Sequence, residues 1–532
     1  MKEFIQYTTH KMKKQKIYEA KFELQYNKIY IARLKNITPV ITVKILNDHK
    51  YDNCFIADIE SSTDFTLHPE NKIAKSNKNR NIEALKNDNR KNLIIIGVFF
   101  LHSCEKPNVF DEMKPLYDEF AKPLYTYYGE NVKYFIEDLK GRIEIKLSDK
   151  CLMEYPLLVT GMVLGFVGFF DSLNIFCVND IIFPSNYDDI LLDKCYKLHS
   201  DIENISRKEI EALNSRTLQE NNINENDVNK TDIKNLKIED NKDERHEITS
   251  KNVDGINIKG DNYNILFISN ILVDLKNNFH KLQVLLDYFE QIYSIIHPKQ
   301  KIDEIIIFGN IFSNIEGDDL YKLIEKLSAL FSLYRIKITL VPANGDPTTQ
   351  ILPQEKFHHK IFKNVHSVDN PSIYYIPSLK SNCILSSNTN IIDVLRYENR
   401  TLNKTAHELP ILNILDDFVK NDTVTDDSFE KEKQKSVISK YFYNAMKVII
   451  NSECLCPSCP DTLKCVPYSE KNDPFFIGDK DISAFVCCAP FSNVLKVRDN
   501  LLFVLVPNFD ITNEVLIVDI KCGMQKTIKF TQ

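Results

Sequence analysis

Tryptophan is absent from the 532 residues, and no apolar run is long enough to cross a membrane. A membrane-spanning helix needs roughly 18 or more consecutive apolar residues, and no window of the sequence approaches that length. The stretch from Met1 to Lys16 is polar and basic with no apolar segment behind it, so we do not expect a secretory signal peptide. We therefore predict an intracellular protein, whose 13 cysteines are thiols or metal ligands rather than disulfides.

The sequence also lacks an excess of basic over acidic residues. The formal net charge is −7 at pH 7, and the sequence pI is about 6.0. Proteins whose main task is to neutralise a phosphate backbone usually carry a surplus of Lys and Arg, so we expect only weak or indirect contact with DNA. Hydrophobic content of 43% and charged content of 27% are ordinary for globular protein. The length exceeds what one core supports and predicts two or three domains.

The N-terminal residues 1–45 are predicted as a helical segment. Over residues 16–36, apolar side chains recur at spacings of three and four, which is typical of an amphipathic helix. Pro39 is predicted to end this helix, because proline lacks the N–H that the helical hydrogen bond needs. The residues of the stripe are Ile17, Phe22, Tyr26, Ile29, Tyr30, Arg33 and Leu34.

Residues 46–200 are predicted as an all-β domain with an insertion at about 71–92. Short apolar segments begin near residues 53, 93, 134, 157 and 174, with glycines among them. Glycine permits bulges and tight corners, so this pattern favours a small, strongly curved barrel. Residues 201–261 contain almost no clustered apolar residues, and we predict that they form a flexible linker.

Residues 262–532 are predicted as an α/β domain with a second charged insertion at about 421–435. Apolar strands at 264–269, 304–308 and 337–341 alternate with helical stripes at 282–296 and 320–334. This alternation predicts right-handed crossovers and a sheet with helices packed on its faces. The apolar segments at 501–506, 515–520 and 527–530 are predicted as an antiparallel meander that could form a second sheet.

The chemistry of the second domain is expected where its strands end, because ligands of open α/β sheets gather at the carboxyl ends of strands. A two-metal phosphoesterase needs carboxylates and histidines there, to hold two ions and activate water. This chain has SNIL at 269–272, GNIFS at 309–313, ANGD at 343–346 and CCAP at 487–490. We predict a phosphoesterase frame without metal, cofactor or catalytic residue. The degenerate positions are Asn270, Leu272, Asn310, Ser313, Asn344, Asp346 and Cys488.

Four segments carry a family resemblance. The first signature consists of Asp346, Pro347, Thr348, Leu352, Pro353, Gln354 and His358, and the second of Pro460, Asp461, Thr462, Leu463 and Cys465. Both resemble sequence blocks of the small (regulatory, B) subunits of DNA polymerase delta. The segments at 25–34 and 136–168 are similar to that family's N-terminal helix and its oligonucleotide/oligosaccharide-binding (OB) barrel. Ala343, Lys356 and Lys464 depart from the family pattern and affect local turn geometry.

The resemblance implies both a fold and a function. The fold is an OB-fold β-barrel domain followed by a calcineurin-like metallophosphoesterase domain, a two-sheet α/β sandwich that has lost catalysis. The function is that of a nuclear, noncatalytic accessory subunit in DNA replication. In this family the subunit holds the cysteine-rich C-terminal domain of the DNA polymerase delta catalytic subunit, and its OB side can dock a third accessory subunit.

Alternatives stay open at this point. An active metal-dependent phosphodiesterase or 3′-exonuclease would use Asp346, although a carboxylate that accepts turn hydrogen bonds ahead of Pro347 is favoured. The equivalent small subunit of polymerase alpha or epsilon is a second alternative, and a single-strand-binding OB module is a third. A zinc site is compatible with the C-x-C-x2-C-x5-C spacing, but ordinary thiols are favoured. These cysteines are Cys454, Cys456, Cys459 and Cys465.

Overall fold

The computed structural model of the chain describes residues 27–60, 92–107, 126–129, 131–171, 173, 175–185, 196–197, 200–206, 262–274, 278–297, 300–312, 317–362, 365–399, 412, 415–416, 418–419, 428–468, 473–498 and 501–531. None of the helices in these ranges is long and apolar enough to span a membrane. The predicted insertion at about 71–92 and the first 26 residues lie outside the described residues.

Helix α1 (Asn27–Asn47) runs through Pro39, so the prediction that this proline ends the helix is wrong. An interior proline costs about 3 kcal/mol or more. On both sides of the proline, however, Ile37, Ile41 and Ile45 form a buried stripe that packs on the neighbouring barrel. Each such burial contributes roughly 1.5–3 kcal/mol, which offsets the lost hydrogen bond. A 3₁₀ turn at His49–Tyr51 follows the helix.

The all-β domain is a closed barrel, as predicted. Its elements are β1 (Phe55–Ala57), β2 (Leu93–His102), β3 (Lys133–Glu137), β4 (Arg142–Leu147), α2 (Asp149–Glu154), β5 (Val163–Phe170) and β6 (Phe176–Ile182). One half of β2 pairs with β5 and the other half with β3, which closes the ring β2-β3-β4-β6-β5. At Gly97, where β2 changes partner, a Cβ would lie 2.4 Å from Ile136 Cγ2. Only glycine therefore allows the strands to approach so closely there.

The second domain is a sandwich of two sheets. Its elements up to α6 are β7 (Tyr196–Lys197), β8 (Ser200–Ser206), β9 (Asn264–Ser269), α3 (Asn278–Asp287), a π-helical turn (Tyr288–Ile292), α4 (Tyr293–Ile296), β10 (Ile302–Phe308), α5 (Asp318–Phe331), β11 (Lys337–Val341), β12 (His366–Ser367), β13 (Ser372–Ile376), β14 (Ser381–Ser386) and α6 (Thr389–Leu395). The remaining ones are α7 (Ser428–Asn451), β15 (Ile482–Ala489), β16 (Asn493–Arg498), β17 (Leu501–Pro507), α8 (Phe509–Thr512), β18 (Glu514–Asp519) and β19 (Gln525–Thr531).

The strand order is β12-β11-β10-β9-β18-β19-β8 in one sheet and β13-β14-β15-β17-β16-β7 in the other. Strands β9, β10 and β11 are parallel, as the alternation of strands and helices predicts. Apolar residues from both sheets, such as Phe267 and Val504, fill the space between them. Helices α3, α4 and α5 cover the outer face of the seven-stranded sheet, whereas α6 and α7 cover the outer face of the six-stranded sheet.

The predicted C-terminal meander is wrong as a single unit. Strand β17 lies between β15 and β16 in the six-stranded sheet, whereas β18 and β19 pair with each other and join the seven-stranded sheet through β9. The short helix α8 carries the chain from one sheet to the other. All three segments are buried and apolar, so their hydropathy does not reveal which sheet each one joins.

Two predicted boundaries also need correction. Residues 200–206 pair as β8 with β19, so the sandwich includes residues assigned to the barrel domain and the start of the linker; residues 207–261 lie outside the described residues. Residues 428–435 belong to α7, so the C-terminal half of the insertion at about 421–435 is helical. Glu432 and Lys433 are exposed on this part of the helix, and Lys435 pairs with Glu432 at 3.2 Å. Among the side chains described from residue 431 onwards, the first buried one is Ile438.

One apolar core connects the barrel to the six-stranded sheet. Phe99 and Phe166 inside the barrel belong to the same buried cluster as Tyr397, which follows α6, and Ile449 of α7. The ring of Tyr127, from the segment before β3, lies 4.8 Å from the ring of Tyr397. The two domains are therefore packed against each other through apolar contacts.

A buried arginine ties the same interface together. The Arg33 guanidinium of α1 donates to Pro457 O at 2.6 Å and to Cys456 O at 3.0 Å, and its Nε lies 3.7 Å from the Asp473 carboxylate. Gly161 adopts φ of +90°, and a Cβ there would lie 2.0 Å from Pro457 O. Glycine at this position lets the barrel approach the Cys456–Pro457 segment closely enough for the arginine to bridge them.

Candidate functional site

The ends of β9, β10 and β11 lie side by side, so the sequence-predicted positions after these strands come together. Asn270 donates its backbone N–H to Gly309 O at 3.1 Å, and Leu272 donates to Asn310 O at 3.0 Å. Asn270, Leu272 and Asn310 all have positive φ angles, of 50°, 47° and 52°. This left-handed backbone is rare for non-glycine residues and is more common for Asn than for Leu.

Side-chain amides link the three strand ends. Asn310 Nδ2 donates to Asn270 Oδ1 at 2.7 Å, and Asn310 Oδ1 accepts from Gly345 N at 2.9 Å. A Cβ on Gly345 would lie 2.7 Å from that same Oδ1. The Asn310 side chain thus connects neighbouring loops, and an amide carries no negative charge with which to bind a divalent cation.

The carboxylate of Asp346 is turned into the protein. Asp346 is 2% exposed, and its Oδ1 accepts from Ile311 N at 2.8 Å and Phe312 N at 3.3 Å. Its Oδ2 accepts from Ala343 N at 2.8 Å and Asn310 N at 3.0 Å. Burial raises the pKa of Asp346 to about 6, against the effect of these four N–H groups, which lower it. Asp346 therefore stabilises two loops, the one after β10 and the one after β11, by accepting hydrogen bonds from both.

The other predicted positions do not add a ligand to this group. Asn344 is exposed at the tip of the loop, and Cys488 is buried in the core between the two sheets. Leu272 is partly buried and has no ligating atom. Ser313 lies outside the described residues. Within the described part of the chain, no group of three or more His, Cys, Asp or Glu side chains is arranged to hold a metal ion.

The four cysteines with zinc-like spacing are all buried against Arg33. Cys456 and Cys459 are fully buried, and Cys454 and Cys465 are each 2% exposed. Burial raises the pKa of the Cys454 thiol to about 12, while the nearby Arg33 cation lowers it. Within the described residues, these four thiols do not form a group arranged to hold a metal ion.

The two signature segments contact each other directly. Leu352 N donates to Lys464 O at 2.9 Å, and Val466 N donates to Leu352 O at 2.9 Å, so Leu352 and Cys465 form a bridge. Gln354 Nε2 donates to Ala343 O and to Thr348 Oγ1, both at 2.8 Å. These bonds hold the loop after β11 against the cysteine-containing segment, which in turn contacts Arg33 of α1.

The exposed ends of the signatures make fewer contacts. The centroid of the exposed His358 ring lies 4.2 Å from that of His359, with the two rings tilted by 37°, and His358 Nδ1 accepts from Lys360 N. Asp461 pairs with Lys106, whose Nζ also donates to Leu101 O of the barrel at 2.8 Å. The second signature therefore contacts the barrel as well as the first signature.

Sequence reasoning missed two buried carboxylates. Asp393 of α6 is fully buried and accepts from Tyr127 OH at 2.5 Å, Ser458 Oγ at 2.5 Å and Thr462 Oγ1 at 2.7 Å. Glu304 of β10 is also fully buried and accepts from Thr339, Tyr374 and Lys337. The available signal was a carboxylate within an apolar helix or strand, since a buried charge must be paired.

A pocket of about 300 Å³ opens beside these strand ends. It lies between Asn270 at the end of β9, Asn388 after β14, Ala489 and Pro490 at the end of β15, and Asn508 after β17. The rest of the wall is formed by Leu415, Asp416, Val419, Phe442 and Ile511. The pocket therefore occupies the place at which both sheets end, where an α/β domain is expected to bind a ligand.

Comparisons with known proteins cover both domains. Residues 25–181 match the OB-fold domain of the DNA polymerase delta subunit, and residues 265–488 match the family of DNA polymerase alpha/epsilon B subunits. The DNA polymerase delta small subunit of Saccharomyces cerevisiae is 24% identical over 248 residues, which are 43% of this chain and 49% of the yeast protein. The chain thus spans about half the length of this curated relative.

Proposed function

We propose that the protein is a DNA polymerase B subunit and acts as a noncatalytic accessory subunit of DNA polymerase delta. On one chain, a match to the OB-fold domain of the DNA polymerase delta subunit is followed by a match to the DNA polymerase alpha/epsilon B subunits. The observation that carries this proposal is the order of the two domains on one chain. The choice of delta rests on the N-terminal match and on the similarity to the yeast delta small subunit.

The noncatalytic part of the proposal rests on the strand ends. A two-metal phosphoesterase needs charged ligands that are open to solvent and substrate. Here Asn270 and Asn310 bond to each other, and Asp346 directs both carboxylate oxygens at backbone N–H groups. These residues stabilise loops instead of presenting ligands, so the phosphoesterase frame serves as a scaffold.

The proposed partner is the catalytic subunit of the polymerase. We infer that the chain holds the cysteine-rich C-terminal domain of the DNA polymerase delta catalytic subunit in the nucleus, and that the barrel side is available to a third accessory subunit. The interface between barrel and sandwich supports the proposal of two binding partners. The two domains share one apolar core, so the outer surface of the barrel and that of the sandwich belong to one rigid unit. A rigid unit of this kind suits a protein that presents surface rather than turning over a substrate.

Co-expression tests the proposal. The full chain would be produced with the C-terminal segment of its own organism's polymerase delta catalytic subunit, and the mixture separated by size-exclusion chromatography. We expect a 1:1 complex with the delta segment and none with the matching alpha or epsilon segments. Retention of the alpha or epsilon segment instead would contradict the delta assignment, and failure to bind any of the three would contradict the accessory role.

A nuclease assay on the same fractions separates the scaffold from the enzymatic alternative. The purified chain would be incubated with Mn²⁺ and a generic phosphodiester, beside an equal amount of the Asp346→Asn variant. We expect no cleavage by either protein. Metal-dependent cleavage by the wild-type chain would contradict the noncatalytic role, and its loss in an Asp346→Asn protein shown to be folded under the assay conditions would assign the cleavage to Asp346.

A further inference from the structure

The outer face of the barrel carries an arginine above two aromatic rings. Phe100 of β2 is paired with Phe135 of β3, and the Arg142 guanidinium of β4 lies 5.3 Å from the centroid of the Phe100 ring and 4.3 Å from that of the Phe135 ring. Because Phe99 and Ile136 are buried in the barrel core, alternation along each strand places the two rings on the outside. Both rings are half-buried, whereas Arg142 is exposed. We call this arrangement the Arg142 platform.

Helix α1 fixes one end of the platform. The ring of Tyr30 meets the Phe100 ring edge to face, with the two centroids 5.1 Å apart. Phe100 also packs against the buried apolar cluster between α1 and the barrel. A cation above an aromatic ring is attracted to the ring face, so the two rings hold the Arg142 guanidinium in place while it stays open to solvent.

A row of cationic side chains lies beside the platform. His102 of β2 is paired with Lys133 of β3. Because Tyr134 is paired with Ile145, the register places Lys146 of β4 opposite Lys133. All three members of this cation row are exposed. Like charges opposite each other on neighbouring strands are destabilising, so an anion bound along the row would stabilise it.

Two carboxylates on the same face limit its positive charge. Glu144 Oε2 lies 3.6 Å from Lys133 Nζ, and Glu137 is paired with Arg142 across β3 and β4. Among the described residues, Lys146 makes no hydrogen bond or ion pair. With His102 neutral, the face has three cations and two carboxylates, so stacking must contribute more than charge to any binding there.

The chemistry of this face fits a single-stranded nucleic acid. Such strands are bound by aromatic and guanidinium groups that stack on the bases, beside cations that follow the phosphates. The cation row lies two residues along the strands from the ring row, which is roughly 7 Å and suits a phosphate and its own base. A duplex keeps the faces of its bases inside the stack, so it cannot use the Arg142 platform.

We infer that the outer face of β2, β3 and β4 binds single-stranded nucleic acid. One base stacks on Arg142 above Phe135, and the adjoining phosphate lies against Lys146. The binding is weak, in keeping with the net charge of −7. This inference does not depend on the proposed polymerase role, because barrel residues alone carry it. A chain that fails to bind a catalytic segment but binds a single strand would contradict that role and leave this inference intact.

Fluorescence anisotropy with the full chain tests the inference. The probes are a labelled oligothymidylate of about 12 nucleotides, an abasic strand with the same number of phosphates, and a duplex of the same length. We expect the oligothymidylate to bind at least about fivefold more tightly than the abasic strand or the duplex, because only its bases can stack. Raising the salt from about 50 to about 200 mM should weaken binding by about three- to sevenfold, as for one or two phosphate contacts.

Two variants separate stacking from charge. Arg142→Gln should weaken the oligothymidylate by about fivefold or more and remove the preference over the abasic strand. Lys146→Gln should weaken both strands equally, by about two- to threefold, because it removes a phosphate contact alone. The matched controls are Arg335→Gln and Lys326→Gln, at exposed positions of the sandwich, and both should bind as the wild type does. All four substituted positions are exposed, so the variants are expected to fold.

Three results would overturn the inference. Equal binding of the oligothymidylate and the abasic strand by the wild-type chain would show that the face does not stack on bases. A preference for the oligothymidylate that Arg142→Gln retains in full would place the binding elsewhere on the chain. An unchanged anisotropy of the oligothymidylate at low salt, up to the solubility limit of the protein, would show that the face binds no single strand.

Discussion

Arg33 of α1 donates a hydrogen bond to the carbonyl oxygen of Pro457 at 2.6 Å, across the boundary between barrel and sandwich. The arginine side chain is fully buried, and its charge is opposed by Asp473 at 3.7 Å. The Arg33 side chain therefore adds a polar link between the cysteine-rich segment of the sandwich and the N-terminal helix, beside the apolar contacts of Ile29 and Ala32. Several consequences of this buried pairing and of the other buried charges can be measured.

Replacing Arg33 by Met is expected to lower the free energy of unfolding by about 3–5 kcal/mol, because it leaves the Asp473 carboxylate buried without its cation. Chemical denaturation of the full chain would measure this value. Lys326→Met, at an exposed position of α5, is the matched control and should change the value by no more than about 0.5 kcal/mol. An equally small change in Arg33→Met would show that the arginine does not hold the interface.

Asp346→Asn should destabilise the chain by about 2–4 kcal/mol, since an amide NH₂ would face two of the four backbone N–H donors and leave them unpaired. Thermal unfolding of the variant beside the wild type would measure the loss. The control is Asp319→Asn, whose carboxylate is 61% exposed on α5. If Asp346→Asn and Asp319→Asn had the same unfolding temperature, the hydrogen bonds to the Asp346 carboxylate would not contribute to the stability of the chain.

Tyr127→Phe is predicted to cost about 1.5–3 kcal/mol, because it removes a hydrogen bond to the buried Asp393 carboxylate. Burial also raises the pKa of Asp393, while the hydroxyls of Ser458, Tyr127 and Thr462 lower it. Tyr375→Phe, at a position that is 45% exposed, provides the control for loss of a hydroxyl. A loss in Tyr375→Phe as large as that in Tyr127→Phe would contradict the role given to Asp393.

The stability of the chain should depend on His366 below neutral pH. His366 lies exposed on the edge strand β12, but the protein atoms packed around its ring partly desolvate it, and this desolvation together with the nearby Lys337 cation lowers the pKa of His366 from its ordinary value of 6.5. As the pH falls below 6.5, the unfolded chain takes up a proton that the folded His366 resists, so stability is lost. The free energy difference between wild type and His366→Gln should therefore shift against the wild type as the pH falls from about 7 to about 5.

Denaturation at a series of pH values would show this shift. The control is Asn27→Gln at the exposed start of α1, where neither side chain is titratable, so the difference from the wild type should not depend on pH. A pH-independent difference for His366→Gln as well would mean that His366 titrates alike in the folded and unfolded chains.

Local patterns were sufficient to predict the barrel strands and the strand-helix alternation of β9 to β11. They failed where packing between distant segments decides the outcome. Pro39 is tolerated because the isoleucines after it find a barrel surface, and β17 joins the other sheet although its composition resembles that of β18. The sequence also could not show whether the Asp346 carboxylate faces solvent as a ligand or accepts hydrogen bonds inside the protein. The backbone N–H groups of Asn310, Ile311 and Phe312, which donate to it, lie on a different loop.

The apolar core that runs from Phe99 in the barrel to Ile449 on α7 has a mechanical consequence. Two domains joined only by a tether can rotate freely, but two domains that share a core keep one distance and one angle between their outer surfaces. A partner bound to the barrel and a partner bound to the sandwich would then be held at a constant separation. The chain would thereby set the distance between its partners in the assembly. Substitutions in its interior would change that distance even though the substituted residues contact neither partner.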